Sequence, residues 1–371
     1  MQHKNIHFNI QHLDSLGQGV FKTDTDVFFI KKTLPLEKGE ASFMAKSKGV
    51  HFYKLEQIHE RSHLRQDSPC PHFEQCGGCD FLHTSYESEL DFKKNALMRM
   101  VQKLPIKKPE ITVHRAPDRL HYRNRIQLHY DKSKKQIGFL SVERKILDTR
   151  QCQILNNDVE KTYQRLLEND YWLKMVEQAP KTGHIEIYHN KISVNKPYAE
   201  GGFSQVYEQM NQVLKTLIAQ KISNELSQKN YLIDLFGGNG NLSDQLPFAF
   251  KWVVDFYPKV PESSANVQFT NQDLYDAKAI STLKKTQDKL KFFECDLMLI
   301  DPPRSGLKNI NEFLMHFFPK KAVYVACQAS SLVRDLSTLH PQYEIEEIHL
   351  VDLFPSTHHF ETIAFISRKD C

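Results

Sequence analysis

Two apolar runs in the last third of the chain end on residues that can do chemistry. Residues 297–300 lead into Asp301-Pro302-Pro303-Arg304, and residues 322–326 lead into Cys327. A residue before proline is pushed to extended geometry, and a second proline stiffens the turn. A carboxylate, a rigid turn, a cation and a thiol therefore sit at strand ends. A thiolate is a strong nucleophile where its pKa is lowered. The plainer reading of Cys327 is an apolar residue closing a strand. Glu361 opens the run ETIAFI after the loop FPSTHH, where a carboxylate can act as general base or stand as an edge residue. His358 and His359, side by side in that loop, read as solvated. Arg304, the cation that follows the two prolines, suits phosphate or pyrimidine contact.

A second group lies upstream. Cys70, Cys76 and Cys79 fall within CPHFEQCGGCDFLH, and Cys152 is a distant fourth. Three cysteines in one Pro/Gly-rich loop point to metal ligation. Zinc commonly takes short paired spacings on both halves of its site. A C-x5-C-x2-C run closed by one remote cysteine looks more like an iron–sulfur cluster, and on spacing alone zinc stays open. Gly77 and Gly78 let the loop fold around a metal. Cys295 and Cys371 have no such context and read as structural.

The elements that must position these residues change character along the chain. Residues 1–60 hold short strands (HFNIQHL, VFKTDTDVFFIKK, ASFMAKSKGVHFYKLEQI) parted by turn signals. That spacing predicts a small β-barrel, and its Lys and aromatic residues suit nucleic acid as well as a solvated basic face. Residues 61–201 form an α+β block that contains the cysteine loop, an amphipathic helix in YESELDFKKNALMRMVQKL and a helix around 156–178. From 202 to 371 strand-like runs recur: YLIDLF, KWVVDF, NVQFTNQD, DLMLID and AVYVAC, then YEIEEIHLVDLF and ETIAFISRK. Five parallel strands and a terminal antiparallel pair predict a Rossmann-like class I methyltransferase domain, and parallel α/β sheets bind ligands at strand carboxyl ends. The fold class expected is multidomain α/β.

LIDLFGGNGNLS, residues 232–243, is the cofactor candidate. Gly237, Gly238 and Gly240 make a tight turn where backbone can approach a ligand. Ser243 stands where a dinucleotide fingerprint needs its third glycine. S-adenosyl-L-methionine has no pyrophosphate and fits the looser turn. Asp255, closing the next strand, can accept hydrogen bonds from a ribose diol, and Asp301 can meet the cofactor or the base edge.

With 371 residues, 25% of them charged and a net charge of only +4, the chain can bury a large core, and a polyanion partner is permitted rather than required. No apolar run reaches the roughly 18 residues of a membrane span. The opening MQHKNIHFNIQHLD lacks a signal-peptide core, so the expected location is the cytoplasm. No membrane partner is expected, and the chain is expected to be a monomer.

Taken in order, these motifs resemble those of bacterial uracil-C5 RNA methyltransferases. The likeness is to the branch with an N-terminal barrel and an iron–sulfur cluster that acts on large-subunit ribosomal RNA. CPHFEQCGGCDFLH, YRNRIQ, FSQ, DLFGGNGN, DPPRSGL, ACQAS and FPSTHHFE carry the likeness. It implies that residues 1–60 are a TRAM module, OB-like and RNA-binding. It implies a [4Fe–4S] cluster on Cys70, Cys76, Cys79 and Cys152. It places Gln205, Phe236, Asn241, Asp255 and Asp301 around S-adenosyl-L-methionine, Cys327 as nucleophile and Glu361 as base. It favours 23S ribosomal RNA over transfer RNA. The chain departs from the family pattern at Ala326-Cys327-Gln328-Ala329, where Ser-Cys-Asn-Pro is usual. It departs again at Tyr207, usually Asn, and at Asp255, usually Glu.

Three competing readings are weaker. A DNA cytosine-C5 methyltransferase would put a Pro-Cys nucleophile after the fourth strand, whereas here Ala-Cys follows the fifth. An iron–sulfur redox protein would bring a flavin, nicotinamide or radical motif. An RNA-binding protein on a decayed scaffold draws its support from the altered ACQA.

Overall fold

A computed structural model describes residues 5–196, 205–226, 230–257, 260–292 and 294–369. Phe203, Ser204 and Cys371 lie outside the described residues. The chain divides into two compact units. The first holds Met1–Ala96, Ala116–Tyr207 and Phe354–His359; the second holds Leu97–Arg115, Glu208–Leu353 and Phe360–Cys371. Three short segments thus fall on the other side of the boundary expected after residue 201: 97–115 belongs with the C-terminal fold, and 205–207 and 354–359 with the N-terminal one.

In the first unit the short N-terminal strands form one six-stranded sheet. Its order is Ile6–Asn9, Lys38–Ser47, Val50–Glu60, Val27–Ile30, Gly19–Lys22, His12–Leu13. Alternation turns Phe8, Ile10, Ile30, Ala41 and Tyr53 into one small core. Leu13 and Leu34 of this sheet region pack with Phe81, just past the cysteine loop. A second sheet of five antiparallel strands runs in the order Ile146–Leu147, Gln136–Leu140, Arg125–Asp131, Thr182–Tyr188, Lys191–Val194. The helix Asn157–Leu167 packs on it through Val159, Tyr163 and Leu166, spaced four and three residues apart on one face. Asn156 caps that helix: its side-chain oxygen accepts the Val159 N–H at 3.0 Å.

The second unit is built on an eight-stranded sheet. In chain order its strands are β1 (Ile106–His114), β2 (Tyr231–Leu235), β3 (Phe250–Asp255), β4 (Val267–Asn271), β5 (Leu297–Ile300), β6 (Lys321–Ala326), β7 (Tyr343–Val351) and β8 (Glu361–Arg368). The sheet order is β4-β3-β2-β5-β6-β8-β7-β1. Strands β2 to β6 are parallel, while β8 runs antiparallel to both β6 and β7. All four residues of β5 are buried, as expected where both faces of a parallel sheet are covered. The five parallel strands and terminal antiparallel pair agree with the sequence reading. The eighth strand, β1, was not anticipated: it extends the sheet by pairing parallel to β7.

Candidate active site and cysteine centre

The glycine-rich turn after β2 is fixed by crowding. A Cβ on Gly237 would stand 2.6 Å from Asp234 Cγ and 2.7 Å from Val253 Cγ1, so nothing larger than glycine fits. Phe236, Gly238 and Gly240 all take positive φ. Asp255, at the end of β3, ties the turn down: Oδ2 accepts the Gly238 N–H at 2.8 Å and Oδ1 the Phe256 N–H at 2.6 Å. The Phe236 ring packs against Tyr275 at 5.4 Å between centroids. Asn241 makes a reciprocal amide pair with Asn211 at 3.0 and 3.1 Å, a partner its sequence position did not suggest.

Three carboxyls converge on this mouth. Burial, then the charge of Asp234 and Asp255, pushes Asp301 up to about 7. Burial also pushes Asp234 up to about 7, against the pull of the Ser243 hydroxyl that donates to it at 2.6 Å. Asp255 is raised as well, again by burial first. Such a group favours a cation over another anion.

The thiol and the candidate base come from neighbouring strands. Cys327 follows β6 and Glu361 opens β8, and the register sets Ala326 opposite Thr362. Cys327 and Glu361 therefore lie at the same end of the pair. Glu361 is buried, and its Oε2 has no hydrogen-bond partner among the described residues. Burial, then Asp301, raises its pKa well above the usual carboxylate range, while Arg304 pulls it down. Burial, then Glu361, pushes the Cys327 thiol up to about 11, again with Arg304 opposing. Arg304 itself is exposed.

The loop that carries Arg304 is gripped from behind. Ser331 Oγ donates to the Arg304 carbonyl and Arg334 Nη2 to the Ser305 carbonyl, both at 2.6 Å. Asp335 Oδ2 accepts the Leu307 N–H at 2.6 Å and the Tyr324 hydroxyl at 2.7 Å. Gly306 sits at φ +71°, where a Cβ would press on Asp335 at 2.3 Å. Ser331, Arg334 and Asp335 belong to the helix Ala329–Leu336 directly after Cys327. These support residues were missed; the polar residues three to four apart on that helix were the available signal.

In the first unit Cys70, Cys76, Cys79 and Cys152 are free thiols that line one cavity of ≈ 210 Å³. The loop is shaped by backbone bonds: Cys76 N–H to the His72 carbonyl at 2.8 Å and Gly77 N–H to the Leu140 carbonyl at 2.9 Å. Burial first, then neighbouring thiols, pushes Cys152 up to about 12 and Cys79 well up, so without a metal they stay protonated. Among the described residues no three of these sulfurs come within 4.8 Å of one another. One tetrahedral zinc would draw them to about 3.8 Å.

The structure corrects one further reading and adds two groups that the sequence did not mark. His358 is not solvated: its N–H and Nδ1 meet Asp80 Oδ2 at 3.0 and 2.7 Å. Arg125 is buried, paired with Glu186 at 2.9 Å and stacked over Tyr188, while Arg123 lines the cysteine cavity. His7, Glu40 and His59, from three neighbouring strands, come close enough to share a cation on an exposed face; nothing local in the sequence marks them as a set. Cys295 is buried as read, its Sγ 3.4 Å from the Leu297 carbonyl.

Comparison with known proteins places this geometry. The family model described as tRNA (uracil-5-)-methyltransferase matches residues 268–369. The 23S rRNA (uracil(1939)-C(5))-methyltransferase of Shewanella frigidimarina is 26% identical, covering 96% of this chain and 94% of its own. That of Histophilus somni is also 26% identical, covering 97% and 95%. Over nearly its whole length the chain is similar to uracil-C5 RNA methyltransferases. Among solved structures, Pyrococcus abyssi tRNA (uracil-54, C5)-methyltransferase with S-adenosyl-L-homocysteine shares the fold: its TM-score is 0.68 at 17% identity, covering 97% of this chain and all of that one.

The second unit holds Phe236, Asn241, Asp255, Asp301, Cys327 and Glu361. The first unit brings together the four cysteines. Gln205 lies in the first unit, where its backbone carbonyl accepts the Asn124 amide at 3.2 Å.

Proposed function

We propose that this chain methylates C5 of a uridine in RNA, with S-adenosyl-L-methionine as donor and 23S ribosomal RNA as the favoured substrate. The observation that carries the reading is Cys327 and the buried Glu361, whose Oε2 has no hydrogen-bond partner among the described residues, at one end of a strand pair, with the charge of the exposed Arg304 acting on both. The full-length likeness to uracil-C5 methyltransferases supports it.

C5 of uracil is a weak nucleophile. Cys327 Sγ, as thiolate, adds to C6, and the displaced π electrons run to O4 as an enolate, which makes C5 nucleophilic. The cofactor supplies a sulfonium methyl, which C5 takes. Glu361, as carboxylate, removes the C5 proton; those electrons re-form C5=C6 and expel the sulfur. Arg304 favours the charged form of both groups. Asp301 and Asp255 would face the cationic cofactor, and the glycine turn would give it backbone contact. Gln205 keeps its proposed cofactor role on the resemblance alone.

The target base must leave its stack to be reached. Residues 1–60 are proposed as the TRAM RNA-binding module. Partly exposed rings there, Phe21 on Phe28 at 5.4 Å and Phe29 on Phe52 at 5.6 Å, are suited to base stacking. Residues 61–201 would hold a [4Fe–4S] cluster on Cys70, Cys76, Cys79 and Cys152, and 202–371 the catalytic fold. The wide sulfur spacing fits a cluster better than one zinc ion. The cluster would shape the RNA-binding surface near Arg123. Among the described residues no helix is long and apolar enough to cross a membrane. A monomer working on RNA in the cytoplasm is the setting proposed.

The test is methyl transfer from labelled S-adenosyl-L-methionine to unmodified 23S ribosomal RNA, transfer RNA and DNA. Label is expected in ribosomal RNA as 5-methyluridine, lost in Cys327→Ala and trapped as a protein–RNA adduct in Glu361→Gln. Label in transfer RNA alone would move the substrate there. No label in any pool would favour an RNA-binding protein whose ACQA segment has lost catalysis.

A further inference from the structure

Lys32 is a charged side chain buried to 6% exposure in the first unit, and the proposed chemistry leaves it without a task. It follows the strand Val27–Ile30, and its backbone takes a left-handed φ of 64°. The turn around it is braced. Arg65 Nη2 donates to the Lys32 carbonyl at 2.7 Å, and the same guanidinium grips the buried Glu37. Glu37 in turn accepts the Leu34 N–H at 2.8 Å. The ammonium is thereby aimed at the cysteine loop. It donates to the Cys79 carbonyl and lies 4.0 Å above the Phe73 ring, between Cys70 and Cys76 in sequence.

Buried charges are ordinarily paired. Among the described residues no carboxylate comes within ion-pair distance of this nitrogen. Burial works against the ammonium first and Lys31 repels it; Asp80 favours it, but Asp80 is already engaged by His358. A carbonyl dipole and a ring face offer only partial charge. Four thiolates on a metal outweigh the metal's own charge, so a loaded centre would be the missing anion.

We infer that Lys32 is the built-in counter-cation of the four-cysteine metal centre, balancing the negative charge of the loaded site and pinning the N-terminal sheet to it. The inference rests on the reading that the cysteines bind metal. It makes Lys32 a positioning residue for the centre. Net charge and hydrogen bonding around an iron–sulfur cluster set its reduction potential. A nearby cation favours the more negative, reduced form.

The experiment compares the full chain, reconstituted anaerobically with iron and sulfide, as wild type, Lys32→Met and Lys32→Arg. Methionine keeps the apolar contact with Phe73 and removes the charge; arginine restores it. Lys32→Met is expected to release iron to a chelator about 10–100-fold faster, the usual range for loss of a supporting partner around a metal site. Its reduction potential moves negative, and Lys32→Arg returns both towards wild type. Equal release rates and potentials in a folded Lys32→Met protein, checked by circular dichroism, would overturn the inference. If wild type takes up no iron, the cluster reading falls. The same release assay with zinc then decides the counter-cation, because four thiolates outweigh that ion too. Uptake of neither metal ends both.

Discussion

Cys327 is a reluctant nucleophile in the free protein. With its thiol pushed up to about 11, roughly one molecule in ten thousand carries a thiolate at neutral pH. Alkylation of Cys327 should therefore rise about tenfold per pH unit from pH 7 to 10. Arg304→Met should lower it throughout, because Arg304 is the cation opposing burial. Peptide mass spectrometry after iodoacetamide pulses reads both, and a flat pH profile would refute the raised thiol. Asp234 makes a stability prediction. Its folded pKa of about 7 lies above the ordinary 3.8, so folding takes up a proton. That stability is full below about pH 4 and is lost as pH rises through 7. Three units correspond to about 4 kcal/mol. Asp234→Asn removes the titration, so wild-type melting temperature should fall more steeply between pH 5 and 8 than that of the variant. Parallel curves would mean that Asp234 is not protonated on folding.

At the scale of elements, the rigid part of the site is the loop 301–307 clamped by the helix Ala329–Leu336. Asp335→Asn keeps one oxygen for the Leu307 N–H and the Tyr324 hydroxyl but sets an NH2 against the Arg334 guanidinium that Oδ1 now accepts from, at a cost of about 2–4 kcal/mol. If the clamp positions Arg304, kcat should also fall, on the order of a hundredfold. Urea unfolding and single-turnover kinetics separate the two; lost stability with intact kcat would leave the helix a purely structural role. This helix was not read in the sequence. The parallel strands were legible there, because apolar runs and glycine turns are local signals. So was the end of each strand that bears Asp255, Asp301 or Cys327. What was not legible is partnership across the chain. Strand β1 reads IKKPEITVH, a mixed run with a proline, and nothing in it names the distant β7 as its neighbour. His114 meets His349 at 2.9 Å across 235 residues, and His358 meets Asp80 across 278. The Asn241–Asn211 pair and the buried state of Arg125 were hidden for the same reason: side-chain partners follow from tertiary packing.

For the whole molecule, the segment Phe354–His359 is the telling one. It belongs to the first unit, where the Ser356 carbonyl accepts the Asp80 and Phe81 N–H groups at 2.8 and 3.0 Å. The Ser356 N–H donates to the buried Glu89 at 2.6 Å, and the Tyr122 hydroxyl reaches the Pro355 carbonyl at 2.9 Å. A fragment ending at Tyr207 lacks all of these partners next to Cys79. It should hold less iron per chain than the full protein after reconstitution; equal loading would show that the cysteine loop is self-sufficient. Each unit is also assembled from three separate stretches of chain. No single cut of the gene yields either one whole. Recombination can therefore not trade one for a foreign counterpart without leaving strands behind, so the unit that holds the four cysteines and the unit that holds Cys327 and Glu361 must be inherited, and must drift, as a pair.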